Sequence, residues 1–228
     1  QQRVALARAL VTKPAVLLLD EPLGALDKKL REQMQVELRS LQRAVGITTV
    51  FVTHDQEEAL TLADRIAVME HGAIVQIGTP AEIYERPRSR FVTDFIGVSN
   101  FLDGRVVAVA ADGVTVELPG ALRIQAEAAD RLAPGDRVEV AVRPEKIRLT
   151  DAAPGAGNHL AGRIESAVYL GAVTYYHLRV ADELRLTVME QNQGGRDESP
   201  RRAIGQTVYA AWDPASTLIL PLPERERG

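Results

Sequence analysis

Four apolar residues, Val16-Leu17-Leu18-Leu19, run without a polar break into two adjacent carboxylates, Asp20 and Glu21, and then into Pro22. A run with no alternation predicts a central parallel strand covered on both faces. Parallel sheets present ligand sites at the carboxyl ends of their strands, where Asp20 and Glu21 fall. Neighbours in an extended chain point in opposite directions, so two carboxylates placed this way can do separate jobs. Pro22 cannot continue a ladder and is expected to hold Glu21 extended. Gly24 permits a turn. Asp27 is then placed to cap a helix whose apolar residues Leu30, Met34, Leu38, Leu41 and Val45 share one face, and Gly46 ends it.

A second strand, "TTVFVTHD" (48–55), repeats the design and brings His54 and Asp55 to its polar end. Helical stretches and short apolar runs alternate up to about residue 98, which predicts strands joined by helices and a parallel sheet. "RIAVMEHGAIVQIG" (65–78) reads as two strands around His71-Gly72. "TPAEIYERP" (79–87) reads as a helix start, with Thr79 as cap, Pro80 in the first turn and Glu82 closing a capping box. These last two stretches are structural, and no chemistry is assigned to them.

After residue 101 the pattern changes to period two. In "RVEVAVR" (137–143), "RIESAVYL" (163–170), "YYHLRV" (175–180) and "TVYAAW" (207–212), apolar and polar residues alternate for part or all of the run, with turn residues between them. That is an all-β module, read as a small barrel, with the boundary in "FIGVSNFLDG" (95–104). The stretches 150–158 and 191–202 are loops by composition, and 221–228 reads as a frayed tail.

The residues are 46% hydrophobic and 25% charged, the balance of a globular protein with a real core. There is no cysteine, which removes disulfides and thiolate metal sites. The longest apolar runs fall far short of the roughly 20 residues of a membrane-spanning helix. Charge divides as 12 basic and 13 acidic residues in 1–100 (12 − 13 = −1) and 15 and 18 in 101–228 (15 − 18 = −3). Neither half carries the charge of a nucleic-acid binder. Tyr169, Tyr175, Tyr176, Tyr209 and Trp212 are therefore better read as barrel packing than as a base-stacking platform.

The string "LLLDEPLGALD" followed by "TTVFVTHDQEEAL" resembles the nucleotide-binding domains of ATP-binding cassette (ABC) transporters, and "QQRVALARAL" looks like the helix after their signature sequence. The resemblance covers residues 1–98 and implies a P-loop NTPase type α/β domain using ATP and Mg²⁺. It implies that Asp20 holds Mg²⁺, largely through water, and that Glu21 is the general base that polarises the attacking water. It makes His54 the switch histidine at the γ-phosphate and Asp27 the aspartate of the loop that signals across a dimer. Phosphoryl transfer of this kind is mainly positioning and electrostatic stabilisation.

The chain departs from that family in its missing parts: nowhere does it contain a G-x-x-x-x-G-K-[ST] phosphate loop. The signature glycines and the glutamine loop are absent as well. The opening at Gln1-Gln2-Arg3, mid-helix and without methionine, favours a piece cut from a longer polypeptide over a dead remnant.

Residues 99–228, with "FIGVSNFLDGRV", "VAVRPEKIRL", "AVYLGAVTYYHLRV" and "VYAAWDPASTLIL", resemble the transport-associated OB-like barrel that follows importer ATPases. The expected fold is thus an α/β nucleotide-binding domain fragment lacking its P-loop (1–98), followed by an all-β OB-like barrel (99–228). The resemblance is closest to the spermidine/putrescine type, with ferric iron, sulfate and sugar importers as competitors. It implies an ATP-hydrolysing subunit peripheral to the cytoplasmic face of the membrane. The implied partners are transmembrane permease subunits, a second copy of the subunit and an extracytoplasmic solute-binding protein, with no nucleic acid. The reading of another class is a non-catalytic regulatory or assembly remnant. The transported solute is not legible in this chain, because permease and binding protein select it.

Overall fold

The structure is a computed structural model that describes residues 2–24, 26–127, 132–181, 184–192 and 202–220. The expected tail at 221–228 and most of the loop at 191–202 lie outside them. Two compact units divide the chain, Gln1–Pro87 and Arg88–Gly228. Among the described residues no helix is long and apolar enough to cross a membrane.

The first unit is α/β. Helix α1 (Gln2–Val11) leads to β1 (Val16–Asp20), α2 (Lys28–Val45), β2 (Thr48–Val52) and α3 (Gln56–Leu62), followed by β3 (Ile66–Glu70), β4 (Ala73–Gly78) and α4 (Pro80–Glu85). Strands β1 and β2 pair in parallel, in register from Val16↔Thr48 to Asp20↔Val52. Helix α2 has the caps its sequence calls for. The Asp27 carboxylate accepts from the Leu30 N–H, and Gly46 closes the far end at φ 68°, where a side chain would strain. The β3–β4 hairpin turns through His71 and Gly72, both at positive φ, as a two-residue loop requires. Thr79 and Glu82 form the expected capping box at α4.

Two expectations fail here, on β1 and at Glu21. Strand β1 is not covered on both faces: Leu17 is buried, but Leu18 is 73% exposed and Val16 is exposed too. Among the described residues its sheet has two strands, β1 and β2, and the face that Val16 and Leu18 share is left open. The apolar stripe of α2 is only partly used: Met34 is buried, whereas Leu30, Leu41 and Val45 remain exposed. Nor is Glu21 extended. It sits at φ 42°, and the turn it opens is closed by the Gly24 N–H, which donates to the Glu21 carbonyl at 3.3 Å.

The second unit opens with α5 (Arg90–Phe95), has short 3₁₀ turns at Pro144–Lys146 and Pro214–Ser216, and among the described residues is otherwise built of strands: β5 (Asn100–Ala110), β6 (Gly113–Leu118), β7 (Leu122–Ala126), β8 (Arg137–Val142), β9 (Arg148–Thr150), β10 (Asn158–Tyr169), β11 (Val173–Arg179), β12 (Arg185–Gln191), β13 (Thr207–Trp212) and β14 (Leu218–Leu220). They form two five-stranded antiparallel sheets, ordered β14-β8-β5-β6-β7 and β12-β11-β10-β13-β9, around a common core. The expected order of an α/β part followed by an all-β, OB-like part is the order found. Strand β8 departs from simple alternation, because Glu139 is buried too and pairs with Arg90 of α5. Tyr176 and Trp212 lie in the core, as packing residues should, whereas Tyr169 is exposed.

Segment 88–98 packs within this second unit. The buried guanidinium of Arg143 donates from Nη1 to the carbonyls of Thr93 (3.1 Å) and Val98 (3.3 Å). Arg90 lies over the Phe101 ring at 4.3 Å from its centroid, a cation–π placement.

Candidate functional site

Parallel pairing brings the carboxyl ends of β1 and β2 level, since Asp20 stands opposite Val52. The ladder runs one step further, where the Glu21 N–H donates to the Val52 carbonyl at 2.9 Å. The backbone of Glu21 then enters the left-handed region, which non-glycine residues seldom occupy and which concentrates at functional sites. The bend keeps the Glu21 side chain at the sheet edge instead of sending it along the strand.

Two residues beyond the end of β2, His54 meets it: Nδ1 stands 2.9 Å from Glu21 Oε1. Both side chains are more than half exposed, the histidine 74% and the glutamate 55%. The hydrogen bond to Glu21 raises the imidazole above its ordinary value of 6.5, and the charge of the same carboxylate adds to it. With Nδ1–H directed at the carboxylate, the ring's other nitrogen donates to a ligand when the imidazole is protonated and accepts when it is neutral.

Asp20 is the last residue of β1 and is exposed. Asp27 is exposed as well, and its carboxylate is engaged in capping α2, 3.0 Å from the Leu30 nitrogen. The structure thus joins Glu21 and His54 directly, with Asp20 next in sequence on the same strand end and Asp27 on the loop that follows.

Sequence reasoning missed the polar network beneath His54. Asp55 caps α3, its Oδ1 accepting from the N–H groups of Glu57 and Glu58, and its other oxygen accepts from Arg31 Nη1 at 2.8 Å. Thr53 Oγ accepts from the Asp55 N–H at 2.9 Å and donates to Glu58 at 2.7 Å. Glu58 is only 1% exposed. The available signal was the cap residue Asp55 followed by Glu57-Glu58, but nothing local in the sequence shows that Arg31, on another helix, faces them.

Comparison with known proteins adds to this geometry. Residues 140–220 match the TOBE domain family. Across 96% of its own length the chain is 52% identical to the spermidine/putrescine import ATP-binding protein PotA of Rubrobacter xylanophilus, and across 97% it is 50% identical to the PotA of Thermobifida fusca. The chain resembles the ATP-binding subunits of spermidine/putrescine importers. It spans 57% of the length of each of these two relatives. Among solved structures, the cytoplasmic molybdate-binding protein ModG aligns at 17% identity over 54% of this chain and 96% of its own, with a TM-score of 0.46. A match over 96% of the chain takes in the Glu21–His54 edge along with the residues of the TOBE match.

Proposed function

We propose that this chain is part of the ATP-hydrolysing subunit of an ABC import system that energises uptake of a polyamine, spermidine or putrescine. The observation that carries the reading is the Glu21–His54 contact of 2.9 Å at the carboxyl edge of two parallel strands. A carboxylate and an imidazole so placed can orient a water and donate to a transferred phosphoryl group.

In this reading Glu21 is the general base for the attacking water, and its bond to His54 holds the carboxylate in place. His54 reaches the γ-phosphate with its outer ring nitrogen. Asp20, an exposed strand-end carboxylate, suits Mg²⁺, which takes one or two carboxylates together with water and phosphate oxygens. The bound ion would supply neutralisation of phosphate charge. Asp27 lies on the loop that faces a second copy of the subunit.

In this reading the C-terminal part of the nucleotide-binding domain runs to about residue 87, short of the 98 expected from sequence, and the transport-associated barrel follows with 88–98 packed against it. The subunit works at the cytoplasmic face of the membrane with permease subunits and an external solute-binding protein. In a polypeptide of the relatives' length, the phosphate loop that this sequence lacks would be supplied by further residues.

The test uses the full-length protein with its permease in vesicles, following phosphate release and labelled spermidine uptake. Glu21→Gln is expected to abolish turnover while ATP binding persists, because the amide keeps the shape but cannot act as base. Full hydrolysis by Glu21→Gln would remove Glu21 from its role. Hydrolysis without polyamine uptake would remove the solute.

A further inference from the structure

Arg31 and Glu58 have no part in the chemistry above, although both lie directly beneath it. Glu58 is buried, and Arg31 is half-buried on the first turn of α2. The guanidinium makes divergent contacts. Nη1 donates to Asp55 at 2.8 Å, Nη2 donates to the Leu26 carbonyl at 3.2 Å, and Nε stands 3.9 Å from Glu58. Leu26 precedes Asp27, and Asp55 follows His54. Each end of the bridge is therefore one residue from a candidate site residue.

We propose that Arg31 is a positioning residue that ties the loop carrying Asp27 to the loop carrying His54, so that the two hold one geometry at the sheet edge. The proposal rests on the reading of the site as an ATPase.

His54 is secured from both sides. On one, Thr53 is held by its hydroxyl bond to buried Glu58; on the other, Asp55 is held by its cap to α3 and by Arg31. A plain strut between α2 and α3 would need only the Arg31–Asp55 pair. The second contact, to a backbone carbonyl in the Asp27 loop, adds nothing to such a strut and is what joins the two loops. A planar fork with several fixed donors can hold a carboxylate and a carbonyl in different directions at once, whereas a lysine offers one compact charge. Arg31→Lys therefore separates the two roles: it can keep an ion pair with Asp55 but cannot span to Leu26 at the same time.

The experiment measures phosphate release by the full-length protein with its permease, for wild type, Arg31→Lys, Arg31→Gln and Glu21→Gln, at a temperature where circular dichroism shows each folded. Misplacing a catalytic group by about 1 Å can cost on the order of a hundredfold, so Arg31→Lys is expected to lower kcat about ten- to a hundredfold. KM for Mg-ATP should stay within about twofold, since the lost interaction acts in the transition state. Arg31→Gln should be at least as impaired. Wild-type kcat in Arg31→Lys, or a rise in KM with kcat intact, overturns the proposal while the Glu21→Gln control leaves the ATPase reading standing. If Arg31→Gln does not fold, Arg31→Lys decides alone. If the wild type hydrolyses no ATP, the ATPase reading fails, and the positioning claim is decided by NMR of the His54 imidazole. Arg31→Lys displaces or broadens that resonance if the arginine sets the loop, and leaves it unchanged if it does not.

Discussion

Asn100 and Asn158 make the same contact in opposite directions between the two sheets. Asn100, on β5, donates to the Thr187 carbonyl at 2.8 Å and accepts from the Thr187 N–H at 2.6 Å. Asn158, on β10, donates to the Gln125 carbonyl and accepts from the Gln125 N–H, both at 2.7 Å. Each asparagine begins the same string, N-x-L-x-G-R, at 100–105 and 158–163. The correspondence continues: Gly135 bonds to Val106 as Gly205 does to Ile164, each at 2.8 Å, and Arg105 and Arg163 each donate to the carbonyl of their glycine. The β unit is therefore an internal duplication, β5–β9 followed by β10–β14, whose last strands are exchanged: β9 pairs with β13, and β14 with β8.

Because each asparagine side chain is buried and fully engaged, replacing one strands backbone groups of the opposite repeat. Asn158→Leu removes both partners of Gln125 and is expected to destabilise the β unit by about 2 kcal/mol. Urea unfolding of residues 88–228 measures it, with a lowered midpoint at an unchanged slope. A wild-type midpoint would show that the amide ladder between the sheets carries no stability.

Where the β unit begins can be tested in the same way. Residues 88–228 are expected to fold alone with an all-β circular dichroism spectrum apart from the short α5. Residues 99–228 should be less stable by about 2 kcal/mol or more, since Glu139 loses Arg90 and Arg143 loses the Thr93 carbonyl. Equal stability would favour the boundary drawn from sequence at 98/99; a helix-dominated spectrum would sink the barrel altogether.

Local signals were legible, and nonlocal ones were not. Asp27 and Gly46 bounded α2, Thr79 and Glu82 began α4, and His71-Gly72 marked a hairpin, because caps and turns are decided within a few residues. The Glu21–His54 pair could be anticipated because parallel strands deliver their ends to one edge. The bend at Glu21 could not, since Pro22 biases its neighbour toward the extended region but does not compel it. The exposure of Leu18 depends on what packs over its face of the sheet, which the apolar run itself does not record. The duplication was hidden although N-x-L-x-G-R is repeated verbatim. Its apolar positions interchange Val, Ile and Leu freely, the loop before the fourth strand is longer in the second copy, and strand exchange leaves no mark on either repeat.

The pH dependence of the site follows from His54. Its pKa is raised above 6.5, first by the hydrogen bond to Glu21, then by that carboxylate's charge, with smaller contributions from Asp55 and Glu58. A raised histidine stabilises the fold fully below its unfolded pKa and loses that contribution as pH rises through the folded pKa. The Glu21–His54 link should therefore be firm in mild acid and weaken above 6.5. An NMR titration of the His54 ring protons is expected to show a midpoint above the ordinary value that drops in Glu21→Gln. A midpoint unmoved by that substitution would mean the contact does not persist in solution.

The 228-residue chain by itself is expected neither to bind Mg-ATP with useful affinity nor to hydrolyse it. In phosphate-loop ATPases a lysine and a nest of backbone N–H groups at a helix N-terminus neutralise the phosphates. No such loop occurs in this sequence, so a highly anionic ligand would meet Asp20 and Glu21 first. Mg²⁺ bridges carboxylate and phosphate only when the phosphates are already placed, because it takes few protein ligands. His54 offers one outward donor only when its ring is protonated, and its other nitrogen is committed to Glu21. Isothermal titration with Mg-ATP should give no heat at micromolar concentrations, and a phosphate-release assay no steady turnover. Micromolar binding would show that residues outside any glycine-lysine loop cradle the phosphates, and it would move the search for that cradle to the cationic side chains near His54, Lys28 and Arg31.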